Sequence, residues 1–439
     1  MFRTEGFQKY LRNVSWLFAD RIVRLASVLI SSIFITRYLG PELFGQLNYA
    51  SALVGIFYAL TSMGIDDLLT RDLVRNPEQR DTLLGTAALI KLGGSLILLV
   101  AVISIALLKD LPSVSLWMVL LIALAELLKP ILVIEPWFHS LVRGRVVAQF
   151  NIVQSVITLI FKLGLVLFHA SLVWFAAGYI VELAALSGGA YIAYRYSGLH
   201  VRDWRFDRAL AIRLMWQAWP LLAFALALFV QAKIDQVMIG DLLRHSVSQA
   251  FADAEVGQYS VALKMVESFG FVPSIVVATL APALTRARQH SQELYVDRLL
   301  NQYRLMFVLW LVTAIPMYIL AEPMIVMLFG EEYRAAGWLL SLFSIRLLFT
   351  NIGVAKMSFI TNEGLFRFSL VMALIGATCN IILNYLLIPP FKSVGAIWAM
   401  IISNFISIFL LDLFYGPTRP NFAWMMKGMA TFWRFHRVS

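Results

Sequence analysis

Apolar stretches of about twenty residues recur from one end of this chain to the other, and nothing else in it constrains the fold as tightly. Twenty residues of helix span the hydrocarbon core of a bilayer. No water is available there, so each backbone N–H and C=O must be paired within its own segment, and a helix does this. Twelve such runs are read: 14–36, 43–64, 83–108, 113–134, 147–168, 172–194, 214–242, 257–284, 305–329, 336–360, 368–388 and 394–415. Only 14% of the 439 residues are charged, against roughly 25% in a soluble domain. Mean hydropathy is +0.78. The expectation is an all-α polytopic membrane protein. The first run continues into the second without an A-x-A cleavage site, so it reads as a retained span, not a cleaved leader. A single cysteine, Cys379, excludes an intrachain disulfide.

The charges sort by side. Of the 36 Lys and Arg, 22 fall in one alternating set of connections: Arg3, Lys9 and Arg12 ahead of the first run, then groups around 71–80, 143–145, 195–213, 286–304, 367 and 419–437. The other set holds five: Arg37, Lys109, Arg244, Arg334 and Lys392. The positive-inside rule then places both termini in the cytoplasm. This asymmetry accounts for most of the +10 net charge without invoking nucleic acid.

The basic 195–213 connection divides the chain into six runs and six. The expected organisation is an N-terminal lobe 1–194, a cytoplasmic linker 195–213, a C-terminal lobe 214–415 and a cytoplasmic tail 416–439. The halves echo each other. PELFGQLNYASAL (41–53) follows the first run and AEVGQYSVAL (254–263) follows the seventh; FHASLVWFAAGY (168–179) and PFKSVGAIWAM (390–400) join the last two runs of each half. Parallel six-span repeats are a transporter signature, with the substrate path between halves.

Nine cations remain inside the runs: Arg21, Arg24, Lys91, Lys129, Lys162, Lys233, Lys264, Arg346 and Lys356. Each costs about 2.5–3.5 kcal/mol at the bilayer centre even on the lenient insertion scale, so such groups face a cavity or a partner. Helical spacing agrees: Asp20, Arg24, Ser27 and Ser31 share one stripe, and so do Ser260, Lys264 and Glu267. The plainer readings stand beside this one. Arg21, Lys91 and Lys356 can snorkel to headgroups, Lys129 can pair with Glu126 three residues away, and Asp412 can be interfacial. The in-span acids Asp20, Glu126, Asp235 and Glu267 would tune the cations or couple an ion, proton or sodium.

Some chemistry is missing. No G-x-x-x-x-G-K-[ST] loop exists, six scattered histidines have no metal-ligand spacing, and no external loop is long enough for a membrane glycosyltransferase or polymerase. No enzymatic activity and no bound cofactor are expected.

RYLGPELFGQLNYASAL (37–53), Gly64-Ile65-Asp66, WPLLAFALALFVQAKIDQVMIGDLL (219–243), VGQYSVALKMVESFGFVPSIVVATLAPALTRAR (256–288), LFGEEYRAAGWLL (328–340) and NYLLIPPFKSVGAIWAM (384–400) together resemble the polysaccharide-unit (O-antigen type) flippases. These belong to the multidrug/oligosaccharidyl-lipid/polysaccharide exporter superfamily. The resemblance implies twelve helices in two six-helix lobes around a central cavity. It implies transfer of an undecaprenyl-diphosphate-linked oligosaccharide from the cytoplasmic to the periplasmic leaflet of a bacterial inner membrane, for lipopolysaccharide or another surface glycan. Alternating access driven by an ion gradient, and a polymerase and chain-length regulator as partners, come with it. A guanidinium grips a diphosphate bidentately, so Arg24, Lys264 and Arg346 are the leading substrate contacts. Arg21, Lys91, Lys129, Lys162 and Lys356 stand behind them. The rival readings are a multidrug exporter of the same fold, whose cationic cargo needs exposed acids, and a peptidoglycan lipid II flippase, usually of fourteen spans.

Overall fold

The computed structural model describes residues 5–434, with side chains described from 15 onward apart from Leu17 and His245. Arg3 and Arg437, sorted above by side, lie outside the described residues, as do the side chains of Lys9 and Arg12. The expected tail 416–439 is described to 434. All regular structure among the described residues is helical, and the chain divides into two compact units, Met1–Lys233 and Ile234–Ser439.

The first unit contains α1 (Glu5–Gly55), α2 (Tyr58–Ser62), α3 (Asp66–Arg75), α4 (Arg80–Leu108), α5 (Ser113–Ala125), α6 (Ile134–Ser140), α7 (Gly144–Leu167) and α8 (Leu172–Tyr196), and takes in most of α9 (Arg208–Ser246). The second contains α10 (Gln249–Glu267), α11 (Phe271–His290), α12 (Gln292–Phe329), α13 (Arg334–Glu363), α14 (Phe366–Ile408) and α15 (Arg419–Ala430). The basic 195–213 connection packs into the first unit. The Arg205 N–H donates to the Asp81 carbonyl (3.1 Å), the Asp207 N–H to Thr86 Oγ1 (3.0 Å) and Trp204 Nε1 to the Tyr194 hydroxyl (3.1 Å).

Ten helical segments among the described residues are long and apolar enough to cross a membrane. The twelve expected runs fall into them because two pairs are continuous. Runs 14–36 and 43–64 share α1, interrupted at Gly40, and runs 368–388 and 394–415 share a segment interrupted at Lys392. Gly40 has φ 70° and ψ 173°. Pro41 pushes the residue before it out of the α region, and a positive φ is cheap only for glycine. Gly-Pro is therefore the chain's own instruction to break the helix. Large apolar side chains cover the outside, with Leu108 and Phe168 both 86% exposed. Such a surface suits lipid, not water. Within the first unit Ile65, Leu69, Leu84, Ile134 and Phe138 form a buried cluster that locks α3 against α4 and α6.

Candidate functional site

Pro130 shapes the first unit's interior. It has no N–H, and its ring crowds the carbonyl four residues back. The chain after α5 therefore tightens into a 3-10 helix, Glu126–Val133, before resuming as α6. Eight residues exceed the usual three or four of such a helix. Two carbonyls of this stretch also accept from side chains: Ser95 Oγ donates to Glu126 O (3.1 Å) and Ser187 Oγ to Leu128 O (2.8 Å). At three residues per turn, positions i and i+3 eclipse. Glu126, Lys129 and Leu132 thus stack in one line, and Glu135 continues it. The fourth expected span, 113–134, extends through Ser140 in the structure and so carries Glu135 inward.

Lys129, Leu132 and Glu135 of that line form one wall of a cavity of about 360 Å³. Its hydroxyls come from Thr61, Ser62 and Thr70, its aromatic faces from Tyr58 and Phe229, and its charges from Asp66, Asp67, Lys91, Lys129 and Glu135. Tyr58 and Phe229 meet edge to face, with centroids 6.1 Å apart. Asp66 and Asp67 occupy the first turn of α3, where the helix dipole favours acids. Gly94, one turn beyond Lys91, lets α4 approach α2 so closely that a Cβ there would run into the Leu60 carbonyl oxygen.

The expected substrate cations are mostly already paired. Lys91, 5% exposed, meets Asp66 at 2.5 Å. Lys129 meets Glu126 at 2.6 Å, as its spacing suggested, and lies 4.4 Å from the Tyr58 ring centroid. Lys162 meets Glu182 at 3.1 Å. Arg24 meets Asp20 at 3.2 Å, and Asn151 Nδ2 also donates to Asp20. Arg24 and Lys91 both lie within electrostatic reach of Glu135, so α1, α4 and α6 bring these charges together. Arg21 is exposed on α1.

In the second unit Lys356 is neither snorkelling nor open to a ligand. Its ammonium donates to Asp412 Oδ1 (2.6 Å) and to the Ile408 carbonyl (2.8 Å), and both side chains are nearly inaccessible. Asp412 is fully buried, and there it neutralises Lys356 and accepts from Asn421 Nδ2 (3.0 Å). Tyr303 donates in turn to Asn421 (2.6 Å), so this joint ties α15 to α12 and α13. It is structural.

Asp235 on α9 is different. It is fully buried, accepts from the Tyr259 hydroxyl (2.7 Å) and Asn384 Nδ2 (2.6 Å), and makes no ion pair among the described residues. Asn380 and Asn384 share a face of α14. Asn380 Nδ2 and Asn384 Oδ1 are buried without hydrogen-bond partners among the described residues, and so is Arg346 Nε on α13. Arg346 is within electrostatic reach of Asp235, and its guanidinium lies 5.9 Å from the Phe343 ring centroid. Lys264 is half-buried on α10, and Glu267 is exposed one turn on. Sequence reasoning singled out Asp235 but missed Tyr259, Asn380 and Asn384. An Asn pair at i, i+4 inside an apolar run was the available signal. It also missed Glu135 and Pro130, since Glu135 fell just past the expected end of its span.

Residues 10–288 match a family described as polysaccharide biosynthesis protein. Over 96 residues the chain is 31% identical to the capsular polysaccharide biosynthesis protein CapF of Staphylococcus aureus, covering 22% of this chain and 24% of that protein. The chain thus spans about a quarter of that curated relative. An inward-facing multidrug resistance MATE family transporter of the MOP superfamily superposes with a TM-score of 0.66 at 14% identity, over 94% of this chain and 98% of that one. The lipid II flippase MurJ, inward closed, also gives 0.66, at 11% identity over 96% and 91%. At these identities the likeness shows the fold.

Proposed function

The chain belongs to the polysaccharide biosynthesis protein family, and from that premise we propose that it carries an undecaprenyl-diphosphate-linked oligosaccharide across the bacterial inner membrane to the outer leaflet, for O-antigen or another surface polysaccharide. The family match carries this reading. The fold supports it, with charged and hydroxylated groups enclosed in units whose outer faces are apolar. The polyprenyl tail stays in lipid while the polar head passes through protein. Twelve crossings with both termini cytoplasmic complete the picture. Transport makes and breaks no covalent bond, so catalysis is not part of it.

Arg346 leads the diphosphate contacts, because its Nε is buried and lacks a hydrogen-bond partner among the described residues. Arg24, whose side chain is 45% exposed and held by one acid, and the half-buried Lys264 assist. The fully paired Lys91, Lys129, Lys162 and Lys356 organise the interior instead. Asp235, buried with neutral donors only, is the coupling group for a proton or sodium gradient, and Asp20, Glu126 and Glu267 are charge partners. The surface-glycan polymerase and chain-length regulator act downstream.

The test is complementation of a flippase-deficient, glycan-producing host, with membrane abundance checked by immunoblot. Arg346→Ala is expected to abolish surface polysaccharide at normal abundance and Arg346→Lys to restore part of it; normal polysaccharide with Ala removes Arg346 from the substrate path. Asp235→Asn is expected to stop transport in energised cells. A multidrug exporter is the second reading, favoured by the unpaired acids of the first unit's cavity. It replaces the first if the wild type restores no polysaccharide in any such host yet confers resistance to cationic drugs.

A further inference from the structure

We propose that the cavity of the first unit is a sugar subsite that selects non-acidic sugars, and that it does not hold the diphosphate. This rests on the glycan-carrier reading above and adds the class of sugar. Two of its cations are already neutralised, Lys91 by Asp66 at 2.5 Å and Lys129 by Glu126 at 2.6 Å. Asp67 and Glu135 line the same space and make no hydrogen bond or close ion pair among the described residues, although Lys91 and Arg24 lie within electrostatic reach of Glu135. The uncommitted charge in the cavity is therefore negative. A phosphate, or a uronic acid carboxylate, would face two like charges in a partly enclosed space where water screens poorly.

The rest of the wall suits a pyranose. Tyr58 and Phe229 line the cavity and supply aromatic surface to the apolar side of a sugar, with Lys129 covering one side of the Tyr58 ring. The hydroxyls of Thr61, Ser62 and Thr70 donate to backbone carbonyls and keep lone pairs with which to accept, and the carboxylates of Asp67 and Glu135 accept from sugar hydroxyls or from an amino group. A volume of about 360 Å³ lies at the small end of the roughly 300–1,000 Å³ of small-ligand sites, room for about one or two rings. The 3-10 geometry around Pro130 aims Lys129 and Leu132 into the space that Glu135 of α6 also lines. Recognition of the diphosphate then belongs to other groups, such as Arg346.

The experiment is saturation-transfer-difference NMR on the purified full chain in detergent. The probes are N,N′-diacetylchitobiose, maltose and an N-acetylglucosamine–glucuronate disaccharide, with inorganic pyrophosphate as competitor. The expected result is binding of at least one neutral disaccharide with the acidic one at least tenfold weaker. Tyr58→Ala should weaken the neutral disaccharide several-fold, and Asp67→Asn with Glu135→Gln should bring the acidic one to within about threefold of it. Equal or tighter binding of the acidic disaccharide overturns the proposal. So does displacement of the neutral sugar by pyrophosphate, indifference to Tyr58→Ala, or no neutral sugar binding at all. Complementation separates the two readings. A restored host with any of these failures loses only the cavity assignment, whereas a host never restored loses the carrier reading.

Discussion

Lys356 and Asp412 show what a charge requires inside a lipid-facing unit. Each is almost wholly inaccessible, and each is the other's partner at 2.6 Å. Removing one leaves the other charged and unmatched, which typically costs about 3–5 kcal/mol, whereas replacing both with apolar groups is often near neutral. Lys356→Met is therefore expected to lower the thermal stability of detergent-solubilised protein sharply, and Lys356→Met with Asp412→Leu to recover most of it. Equal losses in the two variants would show that the ion pair is not what matters there. Arg334 holds Glu331 at 2.6 Å with both side chains more than half exposed, so Arg334→Met is expected to leave the melting temperature unchanged. Asp235 relies on hydrogen bonds instead of a counter-charge. A hydrogen bond to a charged group contributes about 1.5–3 kcal/mol, and Tyr259→Phe is expected to cost that much in equilibrium unfolding. A loss well under that range would mean Asp235 is held mainly by Asn384.

At the scale of elements, one proline decides how a wall of the cavity is built. The 3-10 stretch turns about 20° more per residue than an α-helix, and this keeps Glu126, Lys129 and Leu132 in line. Pro130→Ala returns the missing N–H and allows an ordinary helix, in which that line would fan apart. Ser95→Ala removes the hydroxyl that α4 donates to Glu126 O and is expected to cost about 1 kcal/mol in thermal unfolding. No loss would show that this bond does not help hold the stretch. Gly94→Ala should cost more, about 1–3 kcal/mol of overpacking, because the Leu60 backbone cannot swing aside as a flexible side chain would. Of these features, helix existence was legible from apolar run length. The Gly40-Pro41 break was legible from residue chemistry. The reach of α6 through Glu135 was not, because a polar residue at a span's end reads as loop until its neighbours are known.

At the scale of the whole molecule, the 22-to-5 split of basic residues between alternate connections predicts orientation. Reporter fusions at 142 and 198 are expected to read cytoplasmic, and fusions at 110 and 169 external; a reversed pattern would overturn the topology. The sequence by itself determined the membrane, the helices, the alternate connections on which basic charge accumulates, and the two short-range ion pairs. Asp20 with Arg24 and Glu126 with Lys129 lie four and three residues apart, and a helix brings only such neighbours onto one face. Only the tertiary structure decided the partners of Lys91, Lys162 and Lys356. Asp66, Glu182 and Asp412 lie 25, 20 and 56 residues away, beyond any helical period. The same holds for Asp235, whose donors come from α10 and α14. An intramembrane charge announces in sequence that it needs a partner or a cavity. Which of the two it receives depends on how helices distant in the chain are packed side by side.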